Sequence, residues 1–243
     1  MACLPALRRG VAFPRFVEEE TPVTMQIAMQ ATDGFVLVSD IKNRFGDVPV
    51  SSFVYHSKIR HVAKHGLLIS LMGYTADPDA DPGGNLASHL QSCTVADRGT
   101  ILQWARGYAE TRDTDKFSLL IVSPTAQYDR MWKITIRGNE VEDRPSVLWH
   151  TVHGNENNPA IFWLEYFRCR GKCSVEQATN IAALTILMGE HINPYGIEGL
   201  EIWQYRDSWA EVTPSALERI IARCRTLQEQ CDRLNLPSQN GSM

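Results

Sequence analysis

The sequence predicts an α+β fold in which two β-sheets carry helices on their outer faces. Two observations support this prediction. Runs of strand-like segments alternate along the chain with pairs of helix-like segments, which is the order expected when helices pack outside sheets. The chain has 243 residues, 44% of them hydrophobic, so it can bury the core of one large domain or of two small ones. A doubly wound fold would alternate single strands with single helices, and we reject that class.

The clearest strand signal is a hairpin close to residue 24. Two strand-like runs, at 24–31 and 35–41, flank Asp33-Gly34, and an Asp-Gly pair between alternating apolar residues is a strong hairpin signal. The run at 66–72, GLLISLM, is apolar on both faces, which suits a strand covered on both sides. Further strands are predicted at 50–55, 117–123, 131–137, 147–152, 199–205 and 209–212.

Helical signals occur in two groups. In the first group, apolar residues recur at helical spacing over 99–111. In the second, Ser174 opens a helix with the capping-box-like sequence S-V-E-Q. Pro214 stands at the first position of a final amphipathic helix, where proline is favoured. The predicted helices are at 84–95, 99–111, 159–168, 174–190 and from 214 to about 237.

Composition and charge exclude several classes of protein. The net charge is −4 and the pI about 6.0, and nothing in the sequence suggests nucleic-acid binding, which would require a basic patch. It contains no apolar run of 18 residues, which argues against a membrane span. The first residues place basic side chains after a short apolar stretch, the reverse of a secretory signal. We therefore expect a cytoplasmic protein, with an N-terminal extension or propeptide at 1–23 and a single domain at 24–243.

The six cysteines are typical of reduced thiols rather than of a disulfide framework. Cys169 and Cys173 stand in C-R-G-K-C, but a zinc ribbon requires two tighter pairs. The sequence therefore predicts neither a metal site nor a cofactor.

A set of ordered motifs resembles the proteasome β-subunit-like family of N-terminal-nucleophile (Ntn) hydrolases. Residues 24–40, TMQIAMQATDGFVLVSD, are similar to that family's opening, in which a nucleophilic Thr, a strand, a Gly turn and a second strand lead to an Asp. Lys58-Ile59 resembles the family's pair of a Lys and a following aliphatic residue. The segment 71–77 resembles the family segment that contains its strand-end glycine. The match extends over about 24–213. It implies a four-layer αββα Ntn-hydrolase (proteasome-like) sandwich.

The resemblance also implies a catalytic set. Thr24 corresponds to the nucleophile, Lys58 to its cationic partner, Asp40 to the anchor of that lysine, and Gly73 to the oxyanion donor. A threonine hydroxyl is a weak nucleophile until a base accepts its proton. The α-amine of an N-terminal threonine, with an ordinary pKa of roughly 7.7–8, is suited to that task near neutral pH.

Three departures from the family pattern weaken the catalytic interpretation. Val23 precedes Thr24, where self-cleaving members carry Gly, and a β-branched residue resists the distorted backbone that cleavage needs. Asn193 and Gly196 replace an Asp and a Ser. The segment 153–156, His-Gly-Asn-Glu, replaces a Gly-Ser-Gly-Ser loop.

Two functional hypotheses follow. The first is a threonine-type peptidase that hydrolyses amide bonds of peptide or protein substrates after removal of 1–23. The second is a catalytically silent proteasome-like subunit that has a structural or binding role. In both cases the resemblance implies a ring-like homo-oligomer, and the sequence does not indicate an unfoldase or activator.

Overall fold

The computed structural model describes residues 24–44, 53–74, 80–112, 115–127, 129–146, 148–168, 172–194 and 196–235. The predicted extension at 1–23 lies outside these residues. So does Cys169, one member of the cysteine pair considered as a metal ligand.

The first sheet contains five antiparallel strands in the order β10-β1-β2-β11-β12. Its strands are β1 (Met25–Ala31), β2 (Gly34–Ser39), β10 (His150–Gly154), β11 (Glu201–Tyr205) and β12 (Trp209–Glu211). The predicted β1–β2 hairpin is confirmed, with Ala31 opposite Gly34, so the two loop residues are Thr32 and Asp33. This register places the start of β1 beside the end of β2.

The second sheet also contains five antiparallel strands, in the order β5-β6-β7-β8-β9. Its strands are β5 (Ile59–Val62), β6 (Leu67–Tyr74), β7 (Lys116–Val122), β8 (Met131–Arg137) and β9 (Glu140–Pro145). A separate antiparallel pair is formed by β3 (Lys42–Arg44) and β4 (Phe53–Tyr55). The predicted strand at 50–55 corresponds to β4, and its first residues lie outside the described part of the chain.

The described residues form five α-helices, which are α1 (Pro82–Ser92), α2 (Arg98–Thr111), α3 (Ile161–Arg168), α4 (Val175–Ile192) and α5 (Pro214–Asn235). Helix α4 begins with a complete capping box between Ser174 and Gln177, as the sequence predicted. It packs against β1 and β2, while α3 and α5 pack against α4. Helix α1 contacts β5 and β6, and α2 contacts β8 and β9.

The predicted fold class is corrected by this arrangement. Two antiparallel five-stranded sheets, a separate strand pair and five helices make up the described residues, in place of the four-layer αββα Ntn-hydrolase sandwich. The motif order behind the prediction carried no information on β3, β5 or β9. Those strands are short or, in the case of β9, rich in charge and mostly exposed, so they lack an alternating apolar pattern.

Three apolar clusters hold the fold together. One lies between the first sheet and α4, and a second lies between the second sheet and α1 and α2. The third joins side chains of both sheets, including Leu37 of β2 and Leu120 of β7. Burial of apolar surface stabilises all three, and the third fixes the two sheets relative to each other. Helices long and apolar enough to cross a membrane are absent from the described residues.

Candidate active site

Thr24 directly precedes β1 and Asp40 directly follows β2. Both residues therefore lie at the open end of the β1–β2 hairpin. Gln26 pairs with Ser39, so the residue before β1 lies near the residue after β2. The N–H of Met25 donates to Asp40 Oδ1 at 2.8 Å. The N–H of Asp40 donates back to the Met25 carbonyl at 3.1 Å. This reciprocal pair fixes the Asp40 carboxylate beside Thr24.

Lys58 reaches the same place from the second sheet. It directly precedes β5, and its main-chain carbonyl accepts the N–H of Leu71 from β6 at 3.1 Å. Its ammonium donates to Thr24 Oγ at 2.9 Å and to Asp40 Oδ2 at 2.7 Å. The lysine side chain is 3% exposed and that of Asp40 is fully buried. The structure therefore brings three of the four predicted site residues into direct contact.

Burial and charge act in opposite directions on this ion pair. Burial raises the pKa of Asp40 to about 6, while the charge and hydrogen bond of Lys58 oppose the rise. Burial likewise lowers the pKa of Lys58, and Asp40 opposes that fall. The opposite charge of each partner offsets part of the free energy that the other loses on leaving water.

The fourth predicted residue, Gly73, lies near the end of β6, opposite Phe117 of β7. Its φ is +118°, a region that favours glycine. A Cβ there would lie 2.6 Å from the Lys116 carbonyl oxygen, so a side chain is also excluded by space. The preceding residue, Met72, approaches Gly154 beside Thr24. The role of Gly73 as oxyanion donor stays a prediction.

Gly154 and Asn155 hold the main chain of Thr24. The N–H of Asn155 donates to the Thr24 carbonyl at 2.9 Å. Gly154 has a φ of +103°, and a Cβ at this position would lie 2.0 Å from the Thr24 carbonyl oxygen. The close approach of β10 to Thr24 therefore requires glycine at 154. The sequence had marked 153–156 only as a departure from the family pattern.

A buried polar chain next to Thr24 was not predicted. Gln26 donates from Nε2 to the Leu71 carbonyl at 2.8 Å, so its Oε1 is the atom that faces His153 Nδ1, at 2.7 Å. Because an amide oxygen only accepts, His153 carries its proton on Nδ1. Its Nε2 is buried and has no partner among the described residues. Burial, and then the charge of Lys133, lower the pKa of His153 to about 3.

A second carboxylate, Glu201, was also missed. It is the first residue of β11 and pairs in register with Ser39, next to Asp40. Its Oε1 lies 2.7 Å from Ser57 Oγ, and Ser57 directly precedes Lys58. A charged residue at a buried position of a strand was the available signal, but no spacing rule links residues 57 and 201.

Asn193, one of the departures, serves the end of a helix. Its N–H donates to the Gly189 carbonyl at 2.8 Å, and its own carbonyl accepts the N–H of Gly196 at 3.1 Å. It is the C-cap of α4. The main-chain contacts of Asn193 and Gly196 thus form a helix-capping turn.

Groups of three or more His, Cys, Asp or Glu side chains suited to a metal ion do not occur in the described ranges. Of the two cysteines in C-R-G-K-C, Cys173 is buried, and its carbonyl accepts a hydrogen bond from the Thr32 N–H at 2.9 Å.

Comparison with known proteins gave structural neighbours alone. Neither a family model nor a curated protein matches the sequence. Anbu (ancestral beta-subunit) from Yersinia bercovieri is similar in structure, with 15% identity, a TM-score of 0.60, and coverage of 90% of this chain and 100% of that chain. Anbu from Hyphomicrobium sp. strain MC1 has 12% identity and a TM-score of 0.59, and a Gly-1 mutant of Anbu from that strain has 9% and 0.56, each with the same coverage.

These neighbours correct the family assignment. The sequence resemblance pointed to the proteasome β-subunit-like family, whereas the similar structures are Anbu proteins, which are proteasome-like but distinct. At 9–15% identity the likeness shows the fold alone. It shows neither catalysis nor its absence.

Proposed function

We propose that this chain is a threonine-type amide hydrolase whose nucleophile is Thr24 once residues 1–23 have been removed. One observation carries the proposal. Thr24 Oγ, the Lys58 ammonium and the Asp40 carboxylate form a hydrogen-bonded chain, with distances of 2.9 and 2.7 Å, in which the lysine and the carboxylate are buried. A buried cation on a hydroxyl favours its deprotonated form.

The chemistry would proceed in two stages. Thr24 Oγ attacks the carbonyl carbon of an amide and passes its proton to the free α-amine of Thr24. Lys58 stabilises the developing alkoxide, and Asp40 keeps Lys58 charged and oriented. The α-ammonium of Thr24 then gives this proton to the amide nitrogen. Collapse of the tetrahedral intermediate expels that nitrogen as a free amine and leaves an ester on Thr24, which water then hydrolyses. We assign stabilisation of the oxyanion to the main-chain N–H of Gly73. In other hydrolases a donor of this kind lowers the barrier by roughly 3–4 kcal/mol.

The proposed activity requires removal of residues 1–23, because only then does Thr24 have a free α-amine. While Val23 is bonded to Thr24, the nitrogen is an amide without a basic lone pair, so Thr24 lacks its own base. Val23 also resists the backbone distortion needed for attack by Thr24 on the preceding carbonyl. We therefore expect slow or absent self-processing and little activity in the full-length chain.

The test compares three purified proteins by intact mass and by hydrolysis of fluorogenic peptides. They are the full chain, a shortened chain beginning at Thr24, and the shortened chain with Thr24→Ala. We expect the shortened chain to be roughly 10²–10⁴-fold more active than the other two, because only it has both nucleophile and base. Thr24→Ser in the shortened chain is the matched control and should retain activity.

Equal, negligible activity in the full and shortened chains would instead favour the second candidate, a catalytically silent subunit. The specific observation behind this candidate is that Asn193, which stands where the family pattern has an Asp, lies at the C-cap of α4, and a neutral amide cannot carry the charge of the carboxylate it replaces.

We also propose that the chain assembles with copies of itself. One of the similar structures is described as an ancestral beta-subunit, and the word subunit denotes a component of an assembly. The described part of the chain adds an exposed aromatic surface on α3, where Phe162 is 64% exposed. A ring remains the expected form.

A further inference from the structure

Glu201 carries a buried carboxylate, and packing of the fold alone does not explain a charged side chain at this buried position. It is 7% exposed. Its Oε1 is a possible acceptor for both Ser57 Oγ, at 2.7 Å, and Trp203 Nε1, at 3.0 Å. Its Oε2 is buried without a hydrogen-bond partner in the described part of the chain. A buried carboxylate oxygen left in this way is costly, and a nearby positive charge would offset that cost.

The contact between Glu201 and Ser57 acts directly on the neighbour of Lys58. Ser57 Oγ also accepts the N–H of Ile59 at 3.2 Å, so the serine bridges the residues on both sides of Lys58. Its single hydroxyl proton can go either to Glu201 or to the Ile59 carbonyl, which is 2.9 Å away. The carboxylate and the serine thus constrain the main chain from which Lys58 extends towards Thr24.

The charge of Glu201 also acts on Lys58 through space. Burial lowers the pKa of Lys58, and the negative charges of Asp40 and then Glu201 oppose that fall. Asp40 contacts the ammonium directly, whereas Glu201 approaches from β11, on the other side of β2 from β1.

Other charged groups surround this part of the site. His56 stands two residues before Lys58, and Arg60, two residues after it, forms an ion pair with Asp81 at 2.9 Å. Burial, and then the charges of Arg60 and Lys58, lower the pKa of His56. These groups contribute either positive charge or a neutralised pair, so within the described part of the chain Asp40 and Glu201 are the carboxylates whose charges favour a charged Lys58.

We propose that Glu201 is a positioning residue for Lys58. Its carboxylate fixes the main chain of Lys58 through Ser57 and adds a second negative charge to the surroundings of that lysine. The proposal deepens the proposed function, since Lys58 is the cationic partner of Thr24 in that reaction. It adds a requirement that Asp40 alone does not meet. With two carboxylates for one lysine, the site can hold Lys58 charged while a further positive group, such as the α-ammonium of a processed Thr24, lies beside it.

The test measures the titration of Lys58 itself in the full-length protein, by NMR of ¹³Cε-labelled lysine, with the Lys58 signal assigned by its loss in Lys58→Arg. We expect Glu201→Gln, which removes the charge and keeps the shape, to move the Lys58 titration to lower pH. Glu201→Met, of similar length, is the second neutral variant and replaces Gln should that protein fail to fold. Ser57→Ala is the matched control, because it removes the hydrogen bond and leaves both carboxylates in place, so the titration should stay at the wild-type pH.

A Lys58 titration identical to wild type in the folded neutral variant would overturn the proposal. Activity provides a separate readout. In the chain beginning at Thr24, Glu201→Gln should move the alkaline limb of the pH–rate profile to lower pH, whereas Ser57→Ala should lower the rate without moving that limb. A shortened chain that hydrolyses no amide would contradict the proposed function, while the NMR titration would still decide the role of Glu201.

Discussion

Lys58 and Asp40 are opposite charges buried against each other, and the loss of either leaves the other uncompensated. Replacing Lys58 by Met should lower the free energy of unfolding by roughly 3–5 kcal/mol, because Asp40 then stays buried without its partner. The double variant Lys58→Met with Asp40→Leu should lose less than the sum of the single losses. Urea unfolding of the two single variants and the double variant measures the coupling.

An exposed lysine supplies the control for that cycle. Lys116→Met, at an exposed position on β7, should change the free energy of unfolding by less than about 0.5 kcal/mol. Additive losses in the Lys58 and Asp40 cycle would contradict the buried ion pair.

His153 should make the protein sensitive to acid. Its pKa in the fold is about 3, against an ordinary 6.5, so the unfolded chain binds the extra proton first as the pH falls. The folded state is therefore disfavoured by up to about 1.4 kcal/mol per pH unit between these two values. His153→Gln should reduce the pH dependence of the unfolding free energy over that interval, measured by urea unfolding at a series of pH values.

The slope, rather than the absolute stability, is the decisive quantity in the His153 experiment, because the substitution also alters packing. His89→Gln, at an exposed position of α1, is the matched control and should leave the slope unchanged. A wild-type slope in His153→Gln would show that the buried imidazole is not the acid-sensitive group.

At the scale of elements, the contact between β10 and the start of β1 allows very little space. Gly154→Ala would place a methyl group 2.0 Å from the Thr24 carbonyl oxygen at a φ of +103°. We expect a loss of roughly 1–3 kcal/mol in the free energy of unfolding from backbone strain and displacement. Activity of the chain beginning at Thr24 should fall as well, because the nucleophile moves.

Gly107 of α2 is the matched control for that substitution. A Cβ there meets no atom within 4 Å, so Gly107→Ala should stabilise the helix by about 0.5–1 kcal/mol. Thermal unfolding of both variants makes the comparison. Equal stability of Gly154→Ala and wild type would contradict the close approach.

An element was predictable from the sequence where a pattern within a few neighbouring residues marks it. The β1–β2 hairpin and the α4 capping box carry their signals within a few residues, and both were found. Strand β9, with sequence EVEDRP, has mostly exposed or half-buried side chains. It lies at the edge of its sheet, where charged side chains replace an alternating apolar pattern, and the sequence did not predict it.

The site was predictable to the extent that a family motif supplied the residues. Thr24, Asp40 and Lys58 were named as candidates in this way, and the structure places them in contact, while their catalytic role stays a prediction. The contacts of Glu201 with Ser57 and of His153 with Gln26 span 144 and 127 residues. One sequence contains no signal for such pairs, because they depend on which strands become neighbours.

At the scale of the whole molecule, the exposed aromatic surface of α3 predicts self-association. Phe162 and Tyr166 stack on the exposed side of α3, at a ring distance of 5.9 Å. We expect the purified protein to exceed the 27.4 kDa of one chain in light scattering. Phe162→Asp should shift it towards that mass, because an exposed aromatic surface favours association.

Val95→Asp provides the comparison, since Val95 is 55% exposed in the segment between α1 and α2. It should leave the mass distribution of wild type unchanged. A single 27.4 kDa species for the unmodified chain at micromolar concentrations would refute the assembly.

The way Thr24 is held has a consequence for how the chain can mature. Within the described part of the chain, the hydrogen bonds that fix this residue involve its hydroxyl, its carbonyl and the N–H of Met25. All of these atoms lie on the C-terminal side of the Thr24 nitrogen. Cutting the bond before Thr24 would therefore leave this set of hydrogen bonds intact. The new chain end would be anchored from the moment it is made, so maturation would expose an amine without any refolding of the strand that carries it.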